Sequence, residues 1–140
     1  MYKFIGILLL FFSIQLQAQS PIGTWQTIDD NSGKPKALIK IYKSGDEYFG
    51  RVIKLLEGAT TTVCDACPGD LKGKPIVDMV LLKNLKPYKY YWKGGTILDP
   101  KSGNIYGCSI WFEGNDYNKL KVRGKHWTGI YRDQTWNRVQ

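Results

Sequence analysis

Gly23-Thr24-Trp25-Gln26-Thr27-Ile28 is followed by Asp29-Asp30-Asn31-Ser32-Gly33 and then by Lys34-Pro35-Lys36-Ala37-Leu38-Ile39-Lys40-Ile41-Tyr42-Lys43. The stretch reads as a strand from Trp25 to Ile28, a polar turn, and a second strand from Pro35 to Lys43. Ala37, Ile39 and Ile41 recur at every second position, the period of a strand with one buried face. The pattern continues downstream. Ser44-Gly45-Asp46 turns the chain into Glu47 to Leu55, with Phe49, Ile53 and Leu55 expected on one face. Leu56 to Pro75, rich in Gly, Thr, Cys and Pro, reads as loop. Ile76 to Leu85 is a fourth strand, with a short helix over Met79-Val80-Leu81-Leu82 as the alternative. Tyr88 to Trp92 and Thr96 to Leu98 flank Gly94 and Gly95 as one bent strand or a tight hairpin. The glycine pair serves backbone geometry, a bulge or a turn at positive φ. Asp99 starts and caps a turn in which Pro100 fixes φ. Asn104 to Phe112 is apolar on both faces and reads as a central strand. Lys119 to Arg123 and Thr128 to Val139 close the chain. No segment carries a helical stripe. The class is all-β, with about eight antiparallel strands. Closure into an up-and-down barrel would remove exposed edges. Such a barrel is either filled by side chains or holds one small ligand.

Upstream of Gly23 the chain changes character. Lys3 precedes the apolar run Phe4 to Phe12, and Gln15, Gln17 and Gln19 surround Ala18. A charged start, a short apolar core and a small residue are the marks of a cleavable secretory signal. Residues 1–19 are therefore expected to be the signal peptide and residues 20–140 a single barrel domain. The apolar run falls short of the about 20 residues that span a bilayer. The protein is expected to be exported, periplasmic or secreted, with no membrane span.

The formal net charge is +8, and the lysines are spread singly or in pairs, as in Lys34-Pro35-Lys36, Lys72-Gly73-Lys74 and Lys119-Leu120-Lys121. Dispersed lysines on alternating strands mark a solvated face. A nucleic-acid partner would need a dense basic stripe with a binding motif, and none is present. What remains is attraction to anionic surfaces or acidic ligands.

Gly23-Thr24-Trp25 on a first strand resembles the lipocalin Gly-x-Trp signature. In that superfamily the Trp plugs one end of the barrel under a basic residue of the last strand. Arg138 in Trp136-Asn137-Arg138 is placed to supply that residue. A longer pattern is more specific. It comprises Trp92-Lys93-Gly94-Gly95-Thr96-Ile97-Leu98-Asp99-Pro100, Gly103-Asn104-Ile105-Tyr106, Leu120-Lys121-Val122-Arg123-Gly124 and Gln134-Thr135-Trp136-Asn137-Arg138-Val139. In order and spacing it resembles the bacterial exported family known as domain of unknown function 2147. Cys64-Asp65-Ala66-Cys67 followed by Gly73-Lys74-Pro75-Ile76 resembles the Bacteroidetes branch of that family. The resemblance covers the mature chain and implies a lipocalin-like barrel outside the cytoplasm. It implies no activity. The chain departs from the family at Asp78, where a Gly is expected, and between Arg123 and Trp136, where Lys125-His126-Trp127 and Asp133 replace a more apolar, Gly-rich stretch.

Cys64 and Cys67 are disulfide candidates, since an oxidising compartment favours pairing. A closed zinc set of Cys64, Cys67, Cys108 and His126 is the sharper alternative, and pairing of Cys108 with a loop cysteine stays open. Gly69 to Pro75 fails as a phosphate loop, in glycine spacing and in having Pro75 where a hydroxyl is needed. His126 is the sole histidine, no Gly-x-Ser-x-Gly elbow exists, and Asp30, Asp46, Glu47 and Asp99 lie in turns. The sequence thus offers no catalytic residue, metal or cofactor. Trp92, Tyr106 and Trp111 are candidates to line a pocket for a small apolar ligand, and Arg123 to meet an acidic head group or else to form a structural ion pair. Gly23, Trp25, Gly94, Gly95, Asp99, Pro100, Trp136 and Arg138 are assigned structural roles. The reading is a non-enzymatic barrel that binds a small, partly apolar ligand. The alternative is a filled barrel that engages the envelope or a protein through its basic surface. Oligomeric state is left open.

Overall fold

A computed structural model describes residues 19–139. Among them eight strands follow in order: β1 (Gly23–Ile28), β2 (Pro35–Ser44), β3 (Glu47–Leu55), β4 (Val80–Tyr88), β5 (Tyr91–Leu98), β6 (Ile105–Glu113), β7 (Asp116–Lys125) and β8 (Tyr131–Arg138). Each pairs antiparallel with its neighbours in sequence, and β1 also pairs with β8, so the sheet closes on itself as a barrel. The one helical turn among the described residues is Gly69–Leu71 in the β3–β4 loop. None of the described residues forms a helix long and apolar enough to cross a membrane. Apart from Gln19, the expected signal peptide lies outside the described residues.

The alternation read on β2 places Ala37, Ile39 and Ile41 in the core. On β3 the inward face differs from the expected one. Tyr48, Gly50 and Val52 point in, while Phe49 stacks on Tyr42, with ring centroids 5.8 Å apart. The register against β2 shifts where Lys54 pairs with Leu38 and Val52 with Ile39. Ile53 is the extra residue of a bulge, which flips the alternation and returns Leu55 to the interior. β4 starts at Val80 rather than Ile76 because Asp78 takes φ 74°. Glycine enters that left-handed region without penalty, which gives a physical reason for the glycine expected there. β6 is not central: a closed barrel has neither edge nor centre, and Ile105 is exposed. Gly94 and Gly95 sit in the unbroken strand β5, at a register shift against β6.

One end of the barrel is plugged. Trp25 is wholly buried, and its Nε1–H donates to the Pro21 carbonyl oxygen at 2.8 Å. The Arg138 guanidinium lies over its ring at 4.3 Å. Arg138 also donates to the carbonyl oxygens of Ser20 (3.0 Å), Ile22 (2.9 Å) and Tyr117 (3.1 Å). Burial holds its pKa below the ordinary arginine value. Phe112 fills the space beside Trp25 and meets Trp92 edge-on at 5.7 Å; Tyr48 meets Trp92 from the other side at 6.0 Å. Aromatic packing therefore occupies this half of the interior and leaves the other half to be accounted for.

Candidate functional site

The half away from Trp25 holds a cavity of about 860 Å³. The barrel is therefore not filled by side chains. Its walls are aliphatic: Ile39, Val52, Leu55, Leu81 and Val122, with Trp136 across the floor. These are the inward positions of β2, β3, β4 and β7, and the bulge at Ile53 brings Leu55 among them. The cavity opens between the turns β1–β2, β5–β6 and β7–β8 and the long β3–β4 loop.

The mouth is polar. Asp30 accepts hydrogen bonds from Arg132 Nη2 and, at 2.8 Å, from Gln134 Nε2. Gln134 Oε1 in turn accepts from Trp136 Nε1–H at 3.1 Å. The chain of contacts runs from rim to floor. Asp29 is held by its own turn: the Ser32 backbone N–H donates to its carboxylate at 2.8 Å, and this bond keeps its pKa below the usual carboxylate range. Asp99 accepts from the Lys101 backbone N–H at 3.0 Å and from the Ser102 hydroxyl at 2.9 Å. The rim carboxylates are thus occupied by turns or by β8. Lys36 and Lys101 line the mouth and make no ion pair among the described residues. His126 lines it as well, with Nδ1 2.8 Å from the Thr128 hydroxyl.

Of the four residues read from sequence as pocket-lining, Tyr106 lines the cavity. Trp92 belongs to the plug. Trp111 and Arg123 lie on the outer wall, because Arg123 faces opposite to the inward Val122. Its Nε and Nη2 donate to the two carboxylate oxygens of Asp133 on β8, at 2.7 and 3.0 Å. It also stacks on Tyr131 at 3.9 Å and Trp111 at 5.0 Å. The pair raises the Arg123 pKa and lowers that of Asp133 through the same hydrogen bonds. Arg123 is thus engaged in a cross-strand ion pair and does not face the cavity. Trp136, read as structural, forms the cavity floor. The aliphatic walls escaped notice because a pocket-lining Val and a core Val carry the same sequence signal. Lys36 and Lys101 looked like any dispersed lysine.

Cys64 and Cys67 are joined by a disulfide. Cys64 Sγ sits 3.1 Å from the Pro100 carbonyl oxygen, so the linked loop packs on the β5–β6 turn beside the mouth. Cys108 is free and buried in β6, where desolvation pushes its thiol up to about 12. Cys64, Cys67, Cys108 and His126 do not come together, and no group of three or more metal-ligating side chains forms among the described residues.

A family model described as "Uncharacterized protein conserved in bacteria (DUF2147)" matches residues 23–138. Among solved structures the fold is similar to protein HP1028 of the human pathogen Helicobacter pylori, described as belonging to the lipocalin family. The two superpose with a TM-score of 0.73 at 18% identity, covering 86% of this chain and 84% of that one. No curated protein matches the sequence.

Proposed function

We propose that this chain, which belongs to the DUF2147 family and folds as a lipocalin-like barrel, is an exported, non-enzymatic binder that holds one small, largely apolar molecule with an anionic head in the barrel cavity. The observation that carries the reading is the aliphatic cavity of about 860 Å³ under a mouth with unpaired lysines. Sites for small ligands run to about 300–1,000 Å³, mostly apolar with a few polar groups that orient the ligand. Each Å² of apolar surface moved out of water contributes roughly 25 cal/mol, and Ile39, Val52 and Val122 offer such surface to a hydrocarbon tail. The head group then sits at Lys36 and Lys101, which line the mouth and make no ion pair among the described residues. Two observations favour binding over catalysis. His126 faces Thr128, with no carboxylate to orient it, and the mouth carboxylates are committed to turns and to β8. Export rests on the charged and apolar leader. The disulfide supports it, since such bonds persist in oxidising compartments.

The test is uptake of an environment-sensitive naphthalene sulfonate dye, displaced by alkyl carboxylates and by alcohols of matching chain length. One dye per chain is expected. Val122→Trp, which sets an indole into the aliphatic wall and narrows the cavity, should weaken uptake at least tenfold while the far-ultraviolet circular dichroism stays unchanged. Lys36→Glu with Lys101→Glu should weaken carboxylates about tenfold or more and leave alcohols unaffected, as loss of a charged contact predicts. Unsaturable uptake, or uptake indifferent to Val122→Trp, would sink the reading.

A further inference from the structure

The mouth carries a feature that holding a ligand inside the barrel does not require. On one side of it, where β6 begins and β7 turns into β8, stand large apolar side chains left in water: Trp127 is 89% exposed, Ile130 75%, Ile105 58% and Tyr131 56%. Trp127 and Ile130 project from the β7–β8 turn, and Ile105 opens β6 beside it. Ile105, Tyr106, Lys125, His126 and Trp127 line one shallow groove on the outside of the rim. Tyr106 and His126 are also walls of the cavity, so the outer groove adjoins the opening of the barrel. Leaving an indole in water forgoes the stabilisation that burial of an aromatic ring gives. A cluster of such residues marks a surface that is covered in use.

We propose that this rim docks on an anionic lipid bilayer, mouth down, with Trp127 and Ile130 inserted at head-group level. Charge selects this occupant. Lys36 and Lys101 line the opening and Lys125 the groove beside it, none of them in an ion pair among the described residues, and the chain carries a formal net charge of +8. Indole rings beside lysines suit the head-group region, where one end of the ring is apolar and the other wet. Basic residues near an anionic leaflet are drawn to it within a Debye length of the surface. Docking this way turns the cavity mouth to the head-group layer, which shortens the path through water for an apolar ligand moving between membrane and barrel. That last consequence rests on the cavity reading above; docking itself does not.

Sedimentation with vesicles of phosphatidylcholine, with and without phosphatidylglycerol, tests the proposal. The exported protein is used, with its N terminus read by mass spectrometry. Binding to the anionic vesicles is expected, weakening as salt rises. Trp127→Ser with Ile130→Ser should reduce it at least tenfold. Tyr90→Ser, at the plugged end where Tyr90 is 79% exposed beside Lys89 and Lys93, should leave it intact. Brominated lipid should quench the fluorescence of the parent protein, and Trp127→Phe should lose most of that quenching. Equal binding to neutral vesicles, indifference to the Trp127 and Ile130 changes, or greater loss from Tyr90→Ser would overturn the proposal. So would capture of a protein partner through this rim in place of any vesicle binding. Val122→Trp separates the two readings: it should weaken dye uptake and leave vesicle binding unchanged. Failure of one then does not count as failure of the other.

Discussion

Arg138 shows how much of this barrel hangs on one side chain. It covers the Trp25 ring at 4.3 Å and donates to three carbonyl oxygens, of Ser20, Ile22 and Tyr117, which tie the N-terminal segment and the start of β7 to the last strand. A cation over a desolvated indole contributes about 1–2 kcal/mol, and a hydrogen bond to a charged group about 1.5–3 kcal/mol. The parts are not additive. Arg138→Ala is expected to cost about 3 kcal/mol, lowering the melting temperature by roughly 10 °C. Arg138→Lys should restore less than half, because an ammonium cannot reach three separate acceptors while lying flat on a ring. A melting temperature unchanged in Arg138→Ala would remove the plug from the account. The second residue-scale expectation concerns acid. Asp133, Asp29 and Glu47 are all lowered in the folded state, chiefly by hydrogen bonds from Arg123, Ser32 and Asn84 respectively. A depressed carboxylate pKa adds stability above the unfolded value, about 4, and that stability is lost as pH falls through the folded value. Urea midpoints should therefore be flat from about pH 7 to 5 and fall below about pH 4. Asp133→Asn should lower the plateau and shallow the fall. Stability that rises on acidification would contradict the assignment.

The strands reward reading by period and turn, and they mislead where backbone geometry departs from the regular pleat. Gly94 and Gly95 illustrate both sides. As adjacent glycines at a register shift they have different tasks. Gly94 takes φ 75° with open space where a Cβ would stand, whereas a Cβ on Gly95 would strike the Lys83 carbonyl oxygen and the Leu85 side chain of β4. Gly94→Ala should cost about 1–2 kcal/mol from backbone strain alone. Gly95→Ala should cost more, about 2–3 kcal/mol, because a strand must move. Chemical denaturation of the two variants checks the order, and a reversed order would mean that the approach of β4 to β5 is not what requires Gly95. Sequence could mark this pair as special without saying which glycine does which. The same boundary runs through β3 and β4. A bulge at Ile53 leaves no mark of its own, since Val52, Ile53 and Leu55 read alike as apolar, so the inward face came out wrong. The left-handed Asp78 likewise stops the chain from extending from Ile76, although Ile76, Val77 and Met79 look like strand residues. Where alternation was clean, as with Val122 and Arg123, it placed both residues on opposite faces, and only the choice of inward face was left open.

At the scale of the whole barrel, the closing seam is its weakest line. β1 and β8 pair at Trp25 with Arg138 and at Gln26 with Asn137, while β2 and β3 pair along nearly their full length. Towards the mouth, Thr27 and Ile28 have no backbone partner on β8, and Asp30 reaches across to Arg132 and Gln134 instead. This side-chain bridge is also the cavity wall, since Thr27, Asp30, Arg132 and Gln134 all line it. The aromatic plug thus fixes one end of the seam, and a few polar side chains hold the other. Local opening follows such lines, because stability is distributed unevenly and few backbone bonds there resist separation. Hydrogen exchange should therefore find the β8 amides from Arg132 to Thr135 that point towards β1 exchanging about tenfold or more faster than those of β2 and β3. Asp30→Ala should speed them further without lowering protection near Trp25, because the plug does not depend on the bridge. Filling the cavity with an anionic amphiphile should slow them, since a ligand that binds the closed barrel stabilises it by mass action. Uniform protection around the barrel, or seam amides blind both to Asp30→Ala and to ligand, would show instead that β1 and β8 open only with the rest of the barrel, and entry to the cavity would then have to run through the mouth alone.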